Sequence, residues 1–150
     1  MNQEECLGIG IEINPSNINI CALDTKGEFL EAIQLMAPKP FMPGATIIQI
    51  CEFIGSNQDF RSLKYIGLCF PGIVDKDCRF IKRSRSYKEW DGVPLAEWLE
   101  ARLKTKVYIQ DTNDCEISMT EHCSSVQIYS AALAVGYRAR KKLLSTMITL

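Results

Sequence analysis

The sequence predicts a single mixed α/β layer. Three observations predict it: three consecutive strand-like runs joined by short turns, a later alternation of helical and strand spacing, and an apolar content sufficient for a core. Of 150 residues 47% are hydrophobic, with Ile and Leu prominent, so the chain can bury a core without disulfides or metal. Seventeen Lys and Arg against 18 Asp and Glu leave a formal net charge of −1, which excludes a polybasic binder of nucleic acid or of an anionic membrane.

Residues 7–13 (LGIGIEI) form a β-rich apolar run that Asn14-Pro15-Ser16 breaks. Residues 17–23 (NINICAL) alternate polar and apolar with strand period, 24–27 form a turn with Gly27 placed for positive φ, and 28–35 give a third strand. Connections this short make the three an antiparallel meander. Pro38, Pro40 and Pro43 mark an extended loop. In 45–54, Ile47, Ile50, Cys51 and Ile54 recur at helical spacing, and Gly55-Ser56-Asn57 ends the helix.

Residues 65–70 form a continuous apolar strand, as in a sheet covered on both faces, and Pro71-Gly72 closes it in a turn. A further short strand is expected over 78–82. Pro94 suits the first turn of a helix over 95–103, with Leu95, Trp98, Leu99 and Leu103 facing inward. Residues 107–109 form another buried strand. Ser124-Ser125-Val126-Gln127 fits a capping box opening a helix that runs to about Lys142, and 144–150 read as a final strand. The order β-β-β-α-β-α-β-α-β describes a ribonuclease-H-like layer whose mixed sheet has three antiparallel and then parallel strands. A buried strand at the extreme end of the chain reads as half of a larger protein.

The seven cysteines, at 6, 21, 51, 69, 78, 115 and 123, include no C-x-x-C pair. They fit neither a disulfide framework nor a zinc site, and Cys115, His122 and Cys123 are the only near-neighbours, so no metal is expected. The opening Met-Asn-Gln-Glu-Glu lacks the basic and apolar regions of a signal peptide, and no apolar run approaches the ~20 residues that cross a bilayer. The expectation is a cytoplasmic protein with reduced thiols and no membrane partner.

Four segments carry a family resemblance. Gly10-Ile11-Glu12-Ile13-Asn14-Pro15-Ser16 resembles an opening G-I-D-I-G-G-T hairpin, and 66–75 (IGLCFPGIVD) resembles I-G-V-G-x-P-G-x-V-D. Trp90-Asp91-Gly92-Val93-Pro94-Leu95 resembles W-x-G-V-P-L, and 107–115 (VYIQDTNDC) resembles a strand entering E-N-D-A-N. In this order and spacing they are similar to the N-terminal lobe of the ROK family (repressor, open reading frame, kinase) of bacterial sugar kinases and sugar-responsive repressors. The resemblance implies an actin-like two-lobe fold of which residues 1–150 are a single N-terminal lobe, the second lobe being absent. It implies ATP-dependent phosphorylation of a hexose or amino-hexose in the complete kinase, with ATP and Mg²⁺ there and none expected for this chain alone. The alternatives are a non-catalytic sugar sensor of the repressor branch, or a structural module that forms a homodimer through an exposed edge. The partner is a small-molecule sugar, with no direct nucleic-acid contact.

The same resemblance assigns candidate residues. Glu12, Asn14, Ser16 and Asn17 stand in the nucleotide-phosphate hairpin, where Asn14-Pro15 replaces a Gly pair; Pro15 removes an N–H donor, and a plain hairpin turn is the alternative. An ungapped match places Gln110 at the family's Glu, Asp111 at its Asn, Thr112 at its catalytic Asp and Asp114 at its second Asn. A one-residue deletion places Asp111 at the base. A two-residue insertion places Asp114 there, preceded by Asn113. Either carboxylate accepts a sugar hydroxyl proton or merely caps a turn. Pro71, Gly72, Ser86 and Asn113 are the substrate-binding candidates, Ser86 standing at the Asn of S-P-N-L-P-G-W. Lys82, Arg83, Arg85 and Lys88 hold a phosphorylated ligand or form a solvated loop. Trp90 and Trp98 are expected in core or rim packing.

Overall fold

The computed structural model describes residues 6–115 and 129–148. Three strands open the chain, β1 (Cys6–Ile13), β2 (Asn17–Asp24) and β3 (Phe29–Met36), followed by helix α1 (Pro43–Gly55) and strand β4 (Tyr65–Phe70). A short ribbon of β5 (Gly72–Val74) and β6 (Ile81–Ser84) precedes helix α2 (Leu95–Leu103), strand β7 (Lys106–Asp111) and helix α3 (Ser130–Ile148). The main sheet has the order β3-β2-β1-β4-β7. Its first three strands form the expected antiparallel meander, and β1, β4 and β7 run parallel. This is the ribonuclease-H-like lobe of the actin-like ATPase fold.

Strand alternation decides what each face holds. Ile9, Ile11 and Ile13 of β1 join Ile47, Ile50 and Ile54 of α1 and Leu95, Ala96 and Leu99 of α2 in the principal core. Phe41, Phe70 and Trp90 add an aromatic cluster, with ring centroids of Phe70 and Trp90 4.6 Å apart. Trp90 is fully buried and donates its indole N–H to the Phe41 carbonyl at 3.2 Å. The opposite face carries glycine where the isoleucines alternate. Gly10 of β1 lies opposite Gly67 of β4, and α3 rests directly on both. A Cβ on Gly10 would lie 1.8 Å from the Ala132 carbonyl oxygen, and one on Gly67 2.1 Å from that of Val135. Small residues on the helix, Ala132, Gly136 and Ala139, complete the close approach.

The excursion between β5 and β6 is organised by one carboxylate. Asp75 accepts N–H groups of Asp77 (3.1 Å), Arg79 (2.6 Å) and Phe80 (2.7 Å). Burial works to raise its pKa, but these backbone donors outweigh it and hold the carboxyl below its ordinary value. The loop then lies along β7, where Ile109 donates to the Cys78 carbonyl at 3.0 Å.

Several boundaries differ from expectation. The stretch 144–148 is no strand: α3 continues to Ile148, and Thr146 turns its hydroxyl back onto the Lys142 carbonyl at 3.0 Å; 149–150 lie outside the described residues. No proline interrupts 130–148, so the helix propagates through residues that locally favour β structure. The capping box at 124–127, with His122 and Cys123, lies outside the described residues. Pro43 belongs to α1 rather than to the preceding loop, because the first helical position needs no N–H donor. Gly72 does not close a turn but enters β5, and the strand expected over 78–82 runs Ile81–Ser84, Cys78 taking a left-handed φ of 63°. Trp98 faces outward, 39% exposed, while its neighbour Ala96 is buried.

Candidate ligand-binding site

Ligands of parallel α/β sheets gather at the carboxyl ends of the strands. Here that end is made by Glu12 on β1, Pro71 after β4 and residues 110–114 at and beyond the end of β7. Strand register places polar side chains in a row across the α3 face of the sheet. Gln34, Asn19, Glu12, Cys69 and Gln110 sit on five adjacent strands in successive pairings. Gln34 donates to Asn19 Oδ1 (2.9 Å), and Asn19 donates to Glu12 Oε1 (3.0 Å). At the other end of the row Arg138 of α3 donates to Gln110 Oε1 (2.6 Å) and to the Asp114 carbonyl.

Beside Glu12, the turn at 14–17 bonds largely to itself. The Asn14 N–H donates to the Asn17 carbonyl (2.9 Å), the Asn14 side-chain amide to Asn17 Oδ1 (3.2 Å), and the Asn17 amide to the Ser16 hydroxyl (3.3 Å). The Ser16 carbonyl receives the Ala37 N–H at 3.2 Å. Pro15 contributes no donor.

The second group of candidates converges around Arg85. Gly72 pairs with Ser84, and a Cβ there would lie 2.7 Å from the Arg83 carbonyl oxygen, so the approach of the two strands needs glycine. The Arg85 N–H donates to the Pro71 carbonyl at 3.2 Å, and its guanidinium Nη2 forms an ion pair with Asp111 Oδ2. The other oxygen of Asp111 caps the following turn by accepting the Asn113 N–H at 3.0 Å. The structure therefore brings Pro71, Gly72, Asp111 and Asn113 into one neighbourhood. Ser86 is exposed and tied by its N–H to Ser84 Oγ at 3.3 Å. Asp114 is exposed and its carbonyl, not its carboxylate, is held by Arg138.

Thr112 occupies the position between the two aspartates. Its hydroxyl oxygen is buried, with the Cys69 thiol as its neighbour. Burial first, then neighbouring Cys115, push that thiol well above the ordinary value. Burial, with the charge of Glu12 adding to it, pushes Cys21 up to about 12. Both stay protonated at neutral pH and are not nucleophiles.

Reasoning from sequence missed Asn19 and Gln34 as the chain of bonds leading to Glu12, the bond of Arg138 to Gln110, and the pairing of Arg85 with Asp111. Strand period identifies which face each residue takes, but which polar residues meet depends on register. Among the described residues, no group of three or more His, Cys, Asp or Glu side chains could hold a metal ion. Among them also, no helix is long and apolar enough to cross a membrane.

Known proteins share this architecture. A glucokinase of Thermotoga maritima is 22% identical over 103 residues, 69% of this chain and 32% of that protein. The inorganic polyphosphate/ATP-glucomannokinase of Arthrobacter sp. strain KM superposes with a TM-score of 0.61 at 23% identity, covering 74% of this chain and 46% of that one. A ROK family glucokinase from Streptomyces griseus, solved with glucose and AMPPNP, gives 0.61 at 20% identity over 71% of this chain and 33% of that one. A ROK family transcriptional regulator, homologous to the MLC protein of E. coli, gives 0.58 at 14% identity over 74% and 28%. The chain spans less than half the length of these relatives and corresponds to an N-terminal lobe. The profile of the ROK family matches residues 8–129, and the chain belongs to that family.

Proposed function

We propose that this chain is the sugar-recognising lobe of a ROK protein, built on the sugar-kinase scaffold but without a working phosphate cradle. The observation that carries this reading is the turn at 14–17. A phosphate-binding loop presents several unpaired backbone N–H groups, which glycine makes possible. Here Pro15 has none, the Asn14 N–H is spent on Asn17, and the side chains of Asn14, Ser16 and Asn17 bond to one another. Glu12, at the family's Asp, is held by Asn19. These residues do not fit a nucleotide triphosphate with Mg²⁺.

The sugar side supports the same reading. Pro71, Gly72, Asp111 and Asn113 stand together at the carboxyl ends of β4 and β7, with Ser86 close in sequence to Arg85. Free thiols at Cys21, Cys51, Cys69, Cys78 and Cys115 fit a reducing, cytoplasmic setting. Calorimetry on the full-length protein tests the reading. Binding of a hexose or amino-hexose, without binding of ATP-Mg²⁺ and without sugar-dependent ADP release, is expected; sugar-dependent ADP release overturns it.

One observation favours a second reading, a kinase with Asp111 as general base. Asp111 ends β7 and is joined through Arg85 to the Pro71 segment, where a substrate hydroxyl would lie. On that reading Asp111→Asn in the full-length protein lowers turnover by about 10²-fold or more, and Asp114→Asn does not.

A further inference from the structure

Arg138 of α3 lies 24 residues from Asp114 in sequence and 28 from Gln110, yet it binds both. Its Nη1 donates to Gln110 Oε1 at 2.6 Å and to the Asp114 carbonyl, so one nitrogen joins the two ends of the segment 110–114. No carboxylate pairs with this cation among the described residues. Both of its acceptors are neutral oxygens, and a bond to a peptide carbonyl fixes backbone position rather than balancing charge.

That segment is too short to hold its own shape. Thr112–Asp114 is a single tight turn, and one turn fixes several dihedrals for very few hydrogen bonds. The local bonds of its N–H groups are Asn113 to Asp111 Oδ1 and Cys115 to the Thr112 carbonyl, each at 3.0 Å. Two arginines from different elements clasp it from outside, Arg85 at the Asp111 carboxylate and Arg138 at the other end. The two bases differ. Arg85 follows β6 and its side chain is 39% exposed. Arg138 stands on a helix whose Val135 and Ala132 carbonyls, about one and two turns earlier, rest against Gly67 and Gly10, and its neighbour Ala139 is buried. Through Arg138 the packing of α3 on the sheet reaches the turn.

We propose, resting on the sugar-recognition reading above, that Arg138 is a positioning residue for the sugar site. It sets the backbone of 111–114 in advance, so that Asp111 and Asn113 meet a sugar already in place. Ordering the backbone of one residue costs on the order of ten-fold in affinity, and a turn fixed beforehand relieves the ligand of that cost.

Hydrogen exchange and titration calorimetry on the full-length protein test this, with glucose, mannose and N-acetylglucosamine as probes. Arg138→Met keeps the apolar stem and removes the donors. It is expected to weaken binding of whichever sugar the unaltered protein takes by about ten-fold or more. Exchange over 110–115 should quicken while exchange along 130–148 stays as it was, and saturating sugar should restore slow exchange in the turn. Unchanged affinity, unchanged exchange over 110–115, or turn exchange that saturating sugar leaves fast each overturns the proposal and leaves sugar recognition standing. Exchange that quickens along α3 as much as in the turn also overturns it, marking a general loosening of the helix. Failure of every probe to bind the unaltered protein overturns the sugar-recognition reading and this assignment with it.

Discussion

Arg79 and Glu100 form a two-pronged ion pair, Nη1–Oε2 at 2.8 Å and Nη2–Oε1 at 2.6 Å, that fastens the loop before β6 to α2. Arg79 also donates to the Val107 carbonyl (2.9 Å), and Glu100 accepts the Val107 N–H (2.8 Å), so the pair grips β7 as well. Burial works to raise the Glu100 pKa, but the Arg79 bond and the Val107 N–H outweigh it and hold the carboxyl low. A folded-state pKa below the unfolded one gives stability that is present above the unfolded value and lost as pH falls through the folded one. Urea midpoints are therefore expected to be flat above pH about 5 and to decline on acidification, and Glu100→Ala should reduce the decline. At neutral pH the same substitution leaves the buried Val107 N–H without its acceptor and should cost about 1–3 kcal/mol.

The seat of α3 is geometric. Gly10→Ala places a methyl group 1.8 Å from the Ala132 carbonyl oxygen, so either the helix lifts or the strand bends. Overpacking of this kind costs about 1–3 kcal/mol or more, and a lowered midpoint in thermal unfolding checks it. Gly44 is the contrast: a Cβ there meets nothing within 4 Å, and the residue lies in α1. Gly44→Ala should stabilise by up to about 1 kcal/mol through helix propensity alone.

Thiol chemistry separates the cysteines. With Cys21 pushed up to about 12 and Cys69 raised well above the ordinary value, neither supplies thiolate at pH 8. Peptide mass mapping after brief iodoacetamide treatment should find both unmodified in the native protein and alkylated in denaturant. Native alkylation of Cys69 would show that α3 opens from the sheet on the timescale of labelling.

Much of the sheet was legible because its strands carry their own boundaries. Asn14-Pro15-Ser16 and the turn ending at Gly27 punctuate the meander, and the unbroken apolar run before Pro71 marks a strand covered on both faces. The end of α3 was not legible: Ser145, Thr146 and Ile148 favour strands locally, while the continuing helix decides their conformation. Trp98 was misplaced because helical spacing defines a stripe but not its width; buried Ala96 sets one margin of it. At the site, Glu12, Gly72 and Asp111 were named by motif position, while strand register decides which side chains stand beside them. Arg85 stood among four cations, and nothing in the sequence distinguishes the one that reaches Asp111.

The hydrogen-bonded row of Gln34, Asn19 and Glu12 ties the edge of the sheet to its middle strand. Gln34 lies on the outermost strand, exposed to solvent, and Asn19 is buried between it and Glu12. A substitution at Gln34 therefore removes one of the bonds made by Asn19, the residue that donates to the Glu12 carboxylate two strands inward from the edge.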